Sequence, residues 1–470
     1  MNRYIKYMGL LVAPLLLSLS ACSSDDSEMN TTQFKTEIHE ISIQNGGLDG
    51  QTQIKGKVDE LSKKITFPKL DPATDLSAVC FNATLSDGAE LDKETYDFTI
   101  KEGDTEKTNI IKVVNSTRYR EYFATLRLKV PVFGADFDQK EAFDHNAATK
   151  NVYEHFSAGS TRGTDFNGEY ILIISRHGGL NPHLLRTEDV LKGDLSKPIQ
   201  LNTEGVSGGT FPISAGRIIQ DKIYIANMGG AIIKVYMWEI ANPEAKPQVV
   251  FEGDLSEAGE GGRFGDSMDM YLDENGDGYI FFENNASGKI RRIKISSFTT
   301  VDGVDIIFPM GASNEKGGQY FSYSKVEGTP YYLYTGLEAS LMLVDEGGNL
   351  ITKVSSASMP TRVNQAKVIE FNEKRYLVAV TAARYGDDPA QTLYVYDITK
   401  GDNVVEALEN LEATNYKAIM EHTFGAGNTS SPGTNCGAAV INDKLYIYAA
   451  ADAQGFALVE VPMAVDEDDF

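Results

Sequence analysis

Apolar and polar residues alternate along much of this chain, which is the pattern of half-buried β-strands rather than of helices. Around residues 124–130, for example, Leu126 and Leu128 alternate with Thr125, Arg127 and Lys129. Such runs are short, and turns rich in glycine, asparagine and aspartate separate them. The sequence therefore predicts an all-β protein.

The alternating runs fall into two regions of different spacing. Residues 34–132 hold about seven short strands in about 100 residues, which is typical of an immunoglobulin-like sandwich. The predicted strands of this region are Ile38–Ile43, Gln53–Val58, Lys64–Phe67, Ala78–Thr84, Tyr96–Ile100, Ile110–Val114 and Glu121–Lys129. Residues 133–150 are then expected to be a linker.

Residues 151–465 carry a long-period repeat in which a glycine-rich lead precedes several strands. The aromatic-rich second strands recur roughly every 45–70 residues, near the length of a four-stranded propeller blade. They are Tyr170–Ser175, Lys222–Asn227, Gly278–Glu283, Pro330–Thr335, Arg375–Thr381 and Lys444–Ala449. We predict a six-bladed β-propeller, with seven blades as the alternative. The last unit lacks a fourth strand, and Asn151–Phe156 is expected to complete it, because its Glu-His pair resembles that of Ala418–Thr423.

The N-terminus has the pattern of a secretory signal. Arg3 and Lys6 precede an apolar run of about 12 residues, too short for a membrane span of roughly 20 residues. The run ends in Leu19-Ser20-Ala21-Cys22, which resembles the lipobox of bacterial lipoproteins. That resemblance implies a lipid on Cys22, and the Ser-Asp-Asp cluster that follows resembles the export signal of Bacteroidetes surface lipoproteins. The expected segments are a signal peptide (residues 1–21), an acidic tether (22–33) and, at the other end, an acidic tail (466–470).

The formal net charge of −24 limits the partners of this chain. An acidic surface repels phosphate backbones, so we expect no nucleic-acid partner. Cys80 and Cys436 remain once Cys22 carries lipid, and we expect two buried free thiols, with a disulfide as the alternative.

In a propeller, the links between blades and the loops between second and third strands lie on one face. Five arginines fall in these segments, namely Arg162, Arg176, Arg263, Arg362 and Arg384. Guanidinium groups suit carboxylate or sulfate groups, so the face is a candidate site for an anionic ligand such as a uronic or sialic acid. The alternative is that these arginines pair with Asp165, Asp266, Asp387 and Asp388 and only hold adjacent blades together. Further ligand-binding candidates on the same segments are His177, Asn284, Asn364, Tyr385 and Asn435.

Two other motifs carry candidate chemistry. His177, next to Arg176, is a weak candidate for a general base. Asp273, Asn275 and Asp277 match the first oxygen ligands of a calcium loop, although Asn284 replaces the glutamate expected at its twelfth position. A hairpin turn rich in Asp, Asn and Gly explains the same residues. We expect no cofactor, apart from this candidate structural calcium.

The whole chain resembles uncharacterised Bacteroidetes surface lipoproteins that combine an N-terminal Ig-like module with a C-terminal β-propeller, some of them from glycan-acquisition systems. The resemblance implies an outer-membrane protein, lipid-anchored and exposed on the cell surface, that binds an extracellular glycan or glycoconjugate. It carries no catalytic residues, and we expect a binding protein rather than an enzyme. The alternatives are a lyase or hydrolase acting on an acidic glycan and a scaffold for another surface protein.

Overall fold

The computed structural model describes residues 34–101, 103–156, 161–175, 182–307, 315–354, 359–360, 362–384, 388–414, 417–425 and 433–466. These residues form an all-β protein, as predicted. The chain divides into two compact units, one of residues 1–131 and 466–470 and one of residues 132–465. In the described ranges, no helix is long and apolar enough to cross a membrane.

The N-terminal unit consists of two sheets. Its strands are β1 (Ile38–Gly46), β2 (Thr52–Lys55), β3 (Lys57–Asp59), β4 (Lys64–Thr66), β5 (Phe81–Leu85), β6 (Glu90–Leu91), β7 (Glu106–Asn115) and β8 (Arg118–Arg127). One sheet has the order β2-β1-β5 and the other β3-β4-β8-β7-β6, in which β4 and β8 are parallel. Alternate residues of both sheets, such as Ile41 and Tyr122, meet in one apolar cluster. Burial of this shared cluster stabilises the unit.

In its described residues, the second unit contains six antiparallel sheets of four strands each. It begins with β9 (Glu141–Asn146), which pairs in the last sheet. Sheet 1 contains β10 (Thr161–Phe166), β11 (Tyr170–Ser175), β12 (His183–Arg186) and β13 (Ile199–Gln200). Sheet 2 contains β14 (Phe211–Ile219), β15 (Lys222–Met228), β16 (Ile232–Glu239) and β17 (Gln248–Asp254). Sheet 3 contains β18 (Asp269–Leu272), β19 (Gly278–Glu283), β20 (Ile290–Ser296) and β21 (Thr300–Ile307).

The remaining three sheets repeat this order. Sheet 4 contains β22 (Ser322–Lys325), β23 (Tyr331–Gly336), β24 (Ala339–Asp345) and β25 (Leu350–Lys353). Sheet 5 contains β26 (Val363–Phe371), β27 (Lys374–Thr381), β28 (Thr392–Asp397) and β29 (Met420–Thr423). Sheet 6 contains β30 (Thr434–Ile441), β31 (Lys444–Ala451), β32 (Gly455–Pro462) and β9. The described part of this unit also has two α-helices, α1 (Thr187–Val190) and α2 (Val404–Thr414), which follow the third strands of sheets 1 and 5.

The first strands of the six sheets contact one another in a cyclic order. β10 touches β14, and the contacts continue through β18, β22 and β26 to β30, which touches β10 again. Six apolar clusters lie between neighbouring sheets, including one between sheets 6 and 1 that contains Phe166 and Tyr448. Each sheet therefore buries both faces, which explains why the second strands are almost wholly apolar.

The predicted strand positions hold for most of this unit. The second strands of sheets 1 and 3 have the predicted bounds, and the others differ by one or two residues at an end. The prediction for the fourth strand of sheet 6 was wrong. That strand is β9, whose Phe143 lies opposite Leu458, and Glu154–Phe156 forms a 3₁₀ turn instead. The segment expected to be a linker thus belongs to the second unit.

Candidate functional site

The predicted arginines that the structure describes lie at the start of the first strands or just after the second strands. Arg162 is in β10, Arg263 and Arg362 precede β18 and β26, and Arg384 follows β27. These ends of the strands meet because the first strands contact one another around the ring. We call Arg162, Arg263, Arg362 and Arg384 the arginine face. Arg176, His177 and Tyr385 lie outside the described residues.

Asp266 is the centre of one half of the arginine face. Its carboxylate is 3% exposed and accepts two hydrogen bonds from Arg263, one from Nε at 2.7 Å and one from Nη2 at 2.9 Å. The hydrogen bonds that Arg263 donates to Asp266 hold the pKa of this arginine above its usual range. Arg162 Nη1 lies 3.7 Å from the same carboxylate. Two guanidinium groups therefore share one carboxylate, which leaves an excess of positive charge there.

Gln319 and Asp388 connect the second half of the face to the first. Gln319 donates from Nε2 to Asp266 at 3.3 Å, and its Oε1 accepts from Arg384 Nη1 at 3.4 Å. Asp388 accepts from the backbone N–H of Arg384 and from Arg362 Nε, both at 2.7 Å. Hydrogen bonds thus connect Arg263, Arg362 and Arg384 through Asp266, Gln319 and Asp388, and Arg162 joins them through its ion pair with Asp266. The pairing with Asp266 and Asp388 is the one that the alternative in the sequence analysis expects, and the anionic ligand stays a prediction.

The other predicted ligand-binding residues fall into two groups. One group, Asn364 and Asn435, lines a small cavity beneath the arginine face together with Arg162 and Tyr320. This cavity has a volume of only about 10 Å³, which is room for about one water molecule. A ligand at this face therefore has to bind on the surface. Asn284 is used by its own turn, because its Oδ1 accepts from the N–H groups of Ala286 and Ser287 at 2.9 and 3.0 Å.

The predicted calcium loop forms the hairpin between β18 and β19. The carboxylate of Asp273 accepts from the N–H groups of Asn275 and Asp277, each at 2.9 Å, and Asp277 accepts from the N–H of Ser297. Asp345 makes the same kind of turn between β24 and β25. In the described parts of the chain, no group of three or more His, Cys, Asp or Glu is placed to hold a metal ion. The local hydrogen bonds account for these residues as turn formers.

A second polar cluster lies inside the ring, and the sequence analysis did not single it out. Asp269 is fully buried and accepts from Arg217 Nε at 3.0 Å and from the hydroxyls of Ser322 and Ser324, also at 3.0 Å. Asp165 accepts from the N–H of Ile218 at 2.8 Å. The members of this cluster come from the first strands of sheets 1 to 4, namely Asp165, Arg217, Asp269, Ser322 and Ser324.

Burial and charge pairing shift the pKa values of this cluster in opposite directions. The pKa of the Asp165 carboxyl is raised because burial disfavours its charged form. The pKa of Asp269 is lowered, since the charges of Arg217 and Lys367 and its hydrogen bonds outweigh the same penalty. Burial also raises the pKa of the nearby Cys436 thiol to about 12, so this thiol stays protonated. Cys80, in the N-terminal unit, is also a free thiol.

Comparison with known proteins identifies relatives of this chain. The family described as Domain of unknown function (DUF4623) matches residues 24–464. No curated protein matches the sequence. The crystal structure of a DUF4623 family protein from Bacteroides eggerthii DSM 20697 is 32% identical, covers 92% of this chain and 100% of its own, and has a TM-score of 0.77.

More distant solved structures also match. The WD40 β-propeller domain of Doa1 has 10% identity and a TM-score of 0.37, covering 80% of this chain and 97% of its own. Virginiamycin B lyase from Staphylococcus aureus has 12% identity and a TM-score of 0.35, covering 68% and 99%. The chain has an all-β fold, and the Doa1 domain among these neighbours is a β-propeller by description.

Proposed function

This chain belongs to the DUF4623 family, a domain of unknown function, and we propose that it binds an extracellular glycan bearing anionic groups through its arginine face. The observation that carries the proposal is the convergence of guanidinium groups at that face. Arg263 and Arg362 donate to the carboxylates of Asp266 and Asp388, Arg162 lies 3.7 Å from Asp266, and the Arg384 guanidinium donates to Gln319, on a protein whose net charge is −24. Such a local positive site on an acidic protein favours an anionic ligand.

The second part of the proposal concerns architecture and location. We take the six sheets as the blades of a six-bladed propeller and the N-terminal unit as an Ig-like module that spaces the propeller from the membrane. Lipid on Cys22 anchors the chain to the outer membrane, facing outward. Incorporation of a labelled fatty acid, lost in Cys22→Ser, tests the anchor, and protease treatment of intact cells tests the orientation.

Arg263 is the most useful position for testing the binding proposal. Its side chain is 36% exposed, so a ligand can reach it, and replacement by glutamine removes the charge but keeps an amide that can donate to the buried Asp266. The matched control is Arg292→Gln. Arg292 also makes a two-bonded pair, with the exposed carboxylate of Asp305 at 3.0 and 2.6 Å, but lies in β20, away from the arginine face.

The assay is calorimetric titration of a soluble form beginning at residue 23 with acidic polysaccharides and with neutral ones. Polygalacturonate, chondroitin sulfate and a sialylated glycan are the acidic probes, and arabinan and galactan are the neutral ones. We expect at least one acidic polymer to bind, and Arg263→Gln to weaken it about tenfold, equivalent to about 1.4 kcal/mol. Arg292→Gln is expected to bind as the parent does. Equal effects of the two variants, or a preference for neutral polymers, would contradict the proposal.

A further inference from the structure

A large cavity opens at the other ends of the first strands. It has a volume of about 1070 Å³, above the roughly 300–1,000 Å³ of typical small-molecule sites. Its lining includes residues at or near the ends of first strands, such as Asp165, Arg217 and Lys367. None of the four arginines of the arginine face lines this cavity, although Arg217 lines both it and the small cavity beneath that face.

We propose that this cavity binds a small hydroxylated carboxylate, of the size of a mono- or disaccharide acid, with Lys367 and Arg217 holding the carboxylate group. The proposal does not depend on the arginine face. Its basis is the distribution of paired and unpaired charges between the inside of the cavity and its rim.

The inside of the cavity has cationic groups that the protein itself does not fully use. Arg217 is 4% exposed and donates from Nε to Asp269 and from Nη1 to the carbonyl of Gly216, which leaves its Nη2 without a hydrogen bond in the described residues. The half-buried Lys367 forms neither a hydrogen bond nor an ion pair within the same described ranges. A carboxylate accepting from both groups would complete their hydrogen bonding.

The carboxylates near these cations already interact with other groups or lie at the rim. Asp269, which is not part of the lining, accepts from Arg217, two serine hydroxyls and two backbone N–H groups. Burial raises the pKa of Asp165, although the charges of Arg217 and Lys367 oppose that rise. Glu370 is paired with Arg375 at 3.1 Å, and Glu406 accepts from the Asp402 N–H and the Asn403 amide. Glu327, whose charge acts on Lys325, and Asp402 are exposed at the rim.

The wall of the cavity fits a hydroxylated molecule rather than a purely apolar one. Tyr271 and Tyr331 give partly buried aromatic surface. Lys325 lies over the ring of Tyr271 at 5.3 Å, and burial lowers the pKa of this lysine. Glu327 and Asp402 at the rim can accept hydrogen bonds from sugar hydroxyls. The combination places a negative group deep in the cavity and hydroxyls near its opening.

The test uses the full soluble chain in an Arg263→Gln background, so that binding at the arginine face is weakened. Galacturonate, glucuronate, sialic acid and digalacturonate are the probes, and galactose is the uncharged counterpart. We expect at least one acid to bind while galactose does not, and Lys367→Met to weaken that binding at least tenfold. Lys294→Met is the matched control, because Lys294 is an exposed lysine of β20 outside the cavity.

The outcomes separate this site from the arginine face. Loss of polymer binding in Arg263→Gln together with loss of small-acid binding in Lys367→Met supports two sites. The inference is overturned if none of the four acids binds at 100-fold excess over the protein, if galactose binds equally well, or if Lys367→Met and Lys294→Met behave alike. The proposal for the arginine face is decided separately, by the effect of Arg263→Gln on binding of the acidic polysaccharides.

Discussion

Replacing Asp269 with asparagine is the sharpest test of the polar cluster inside the ring. The substitution preserves the size of the side chain but removes its charge. Because Asp269 accepts hydrogen bonds through both oxygens, the new amide NH₂ has to face either Arg217 Nε or the donors on Ser322, Tyr323 and Ser324. Arg217, itself buried, then loses its ion pair with Asp269.

The magnitude follows from the burial of both partners. Removing one partner of a buried ion pair costs about 3–5 kcal/mol, because it leaves an uncompensated charge. The second unit has about 330 residues, so its unfolding entropy at about 2.1 cal/mol/K per residue is about 0.7 kcal/mol/K. The expected loss of Tm is therefore about 4–7 °C.

The assay is urea and thermal unfolding followed by tryptophan fluorescence. Trp238 is the only tryptophan of the chain and is buried in sheet 2, so its signal reports the second unit. The control is Asp302→Asn, since Asp302 is an exposed aspartate of β21, and we expect a change within about 0.5 kcal/mol.

A second variant separates the ion pair from simple packing. In Arg217→Met/Asp269→Asn the unpaired cation is gone, and we expect part of the lost stability to return. The reasoning is refuted if Asp269→Asn costs less than about 1 kcal/mol, or if the double variant is as unstable as the sum of the two single ones.

Three further predictions concern other parts of the second unit. Burial raises the pKa of Glu283 to about 8. The folded protein therefore keeps a proton that the unfolded chain loses above about pH 4.5. The free energy of unfolding is expected to fall as the pH rises from about 4.5 to about 8. Glu283→Gln should flatten this dependence, measured by urea unfolding at pH 5 and pH 9, and an unchanged pH profile would disprove it. Gly265→Ala should cost more than about 2 kcal/mol in the same assay, because φ is +83° and a Cβ would lie 2.0 Å from the carbonyl oxygen of Asn227. Gly230→Ala, with open space around its Cβ, should be nearly neutral, and similar losses in both would contradict this explanation. A chain beginning at residue 132 should be monomeric by light scattering. A chain beginning at residue 147 lacks β9, which leaves the edge of β32 exposed, and should self-associate through that edge. If this shorter chain is monomeric, β9 does not protect the edge of β32.

The positions of most strands could be predicted because each sheet is patterned locally. An apolar run such as Tyr170–Ser175, bounded by glycine and asparagine, has few other structures available. The fourth strand of sheet 6 could not be found this way. β9 pairs with a strand more than 300 residues away, and its sequence, Glu141–Asn146, has only two apolar residues. The Glu-His pair of Asn151–Phe156 was a coincidence of composition.

The arginine face could be predicted in outline, since it depends only on which loops share an end of the sheets. The buried cluster could not. Asp165, Arg217 and Asp269 lie in first strands. In the sequence alone, a charged residue in such a strand cannot be distinguished from one whose side chain faces solvent. Only the ring of sheets turns that side of the strand inward. A useful signal in retrospect is that several first strands carry such a charge.

The most direct test of the account is a titration with one polymer in two chemical forms. The acidic polysaccharide that binds best is compared with its carboxyl-reduced counterpart, which has the same linkages and length but no charge. We predict that reduction abolishes binding, and that binding of the acidic form weakens steeply with added salt, as expected for ligand charges held by guanidinium groups on the surface. Equal affinity for the two forms would show that the converging arginines do not recognise the ligand.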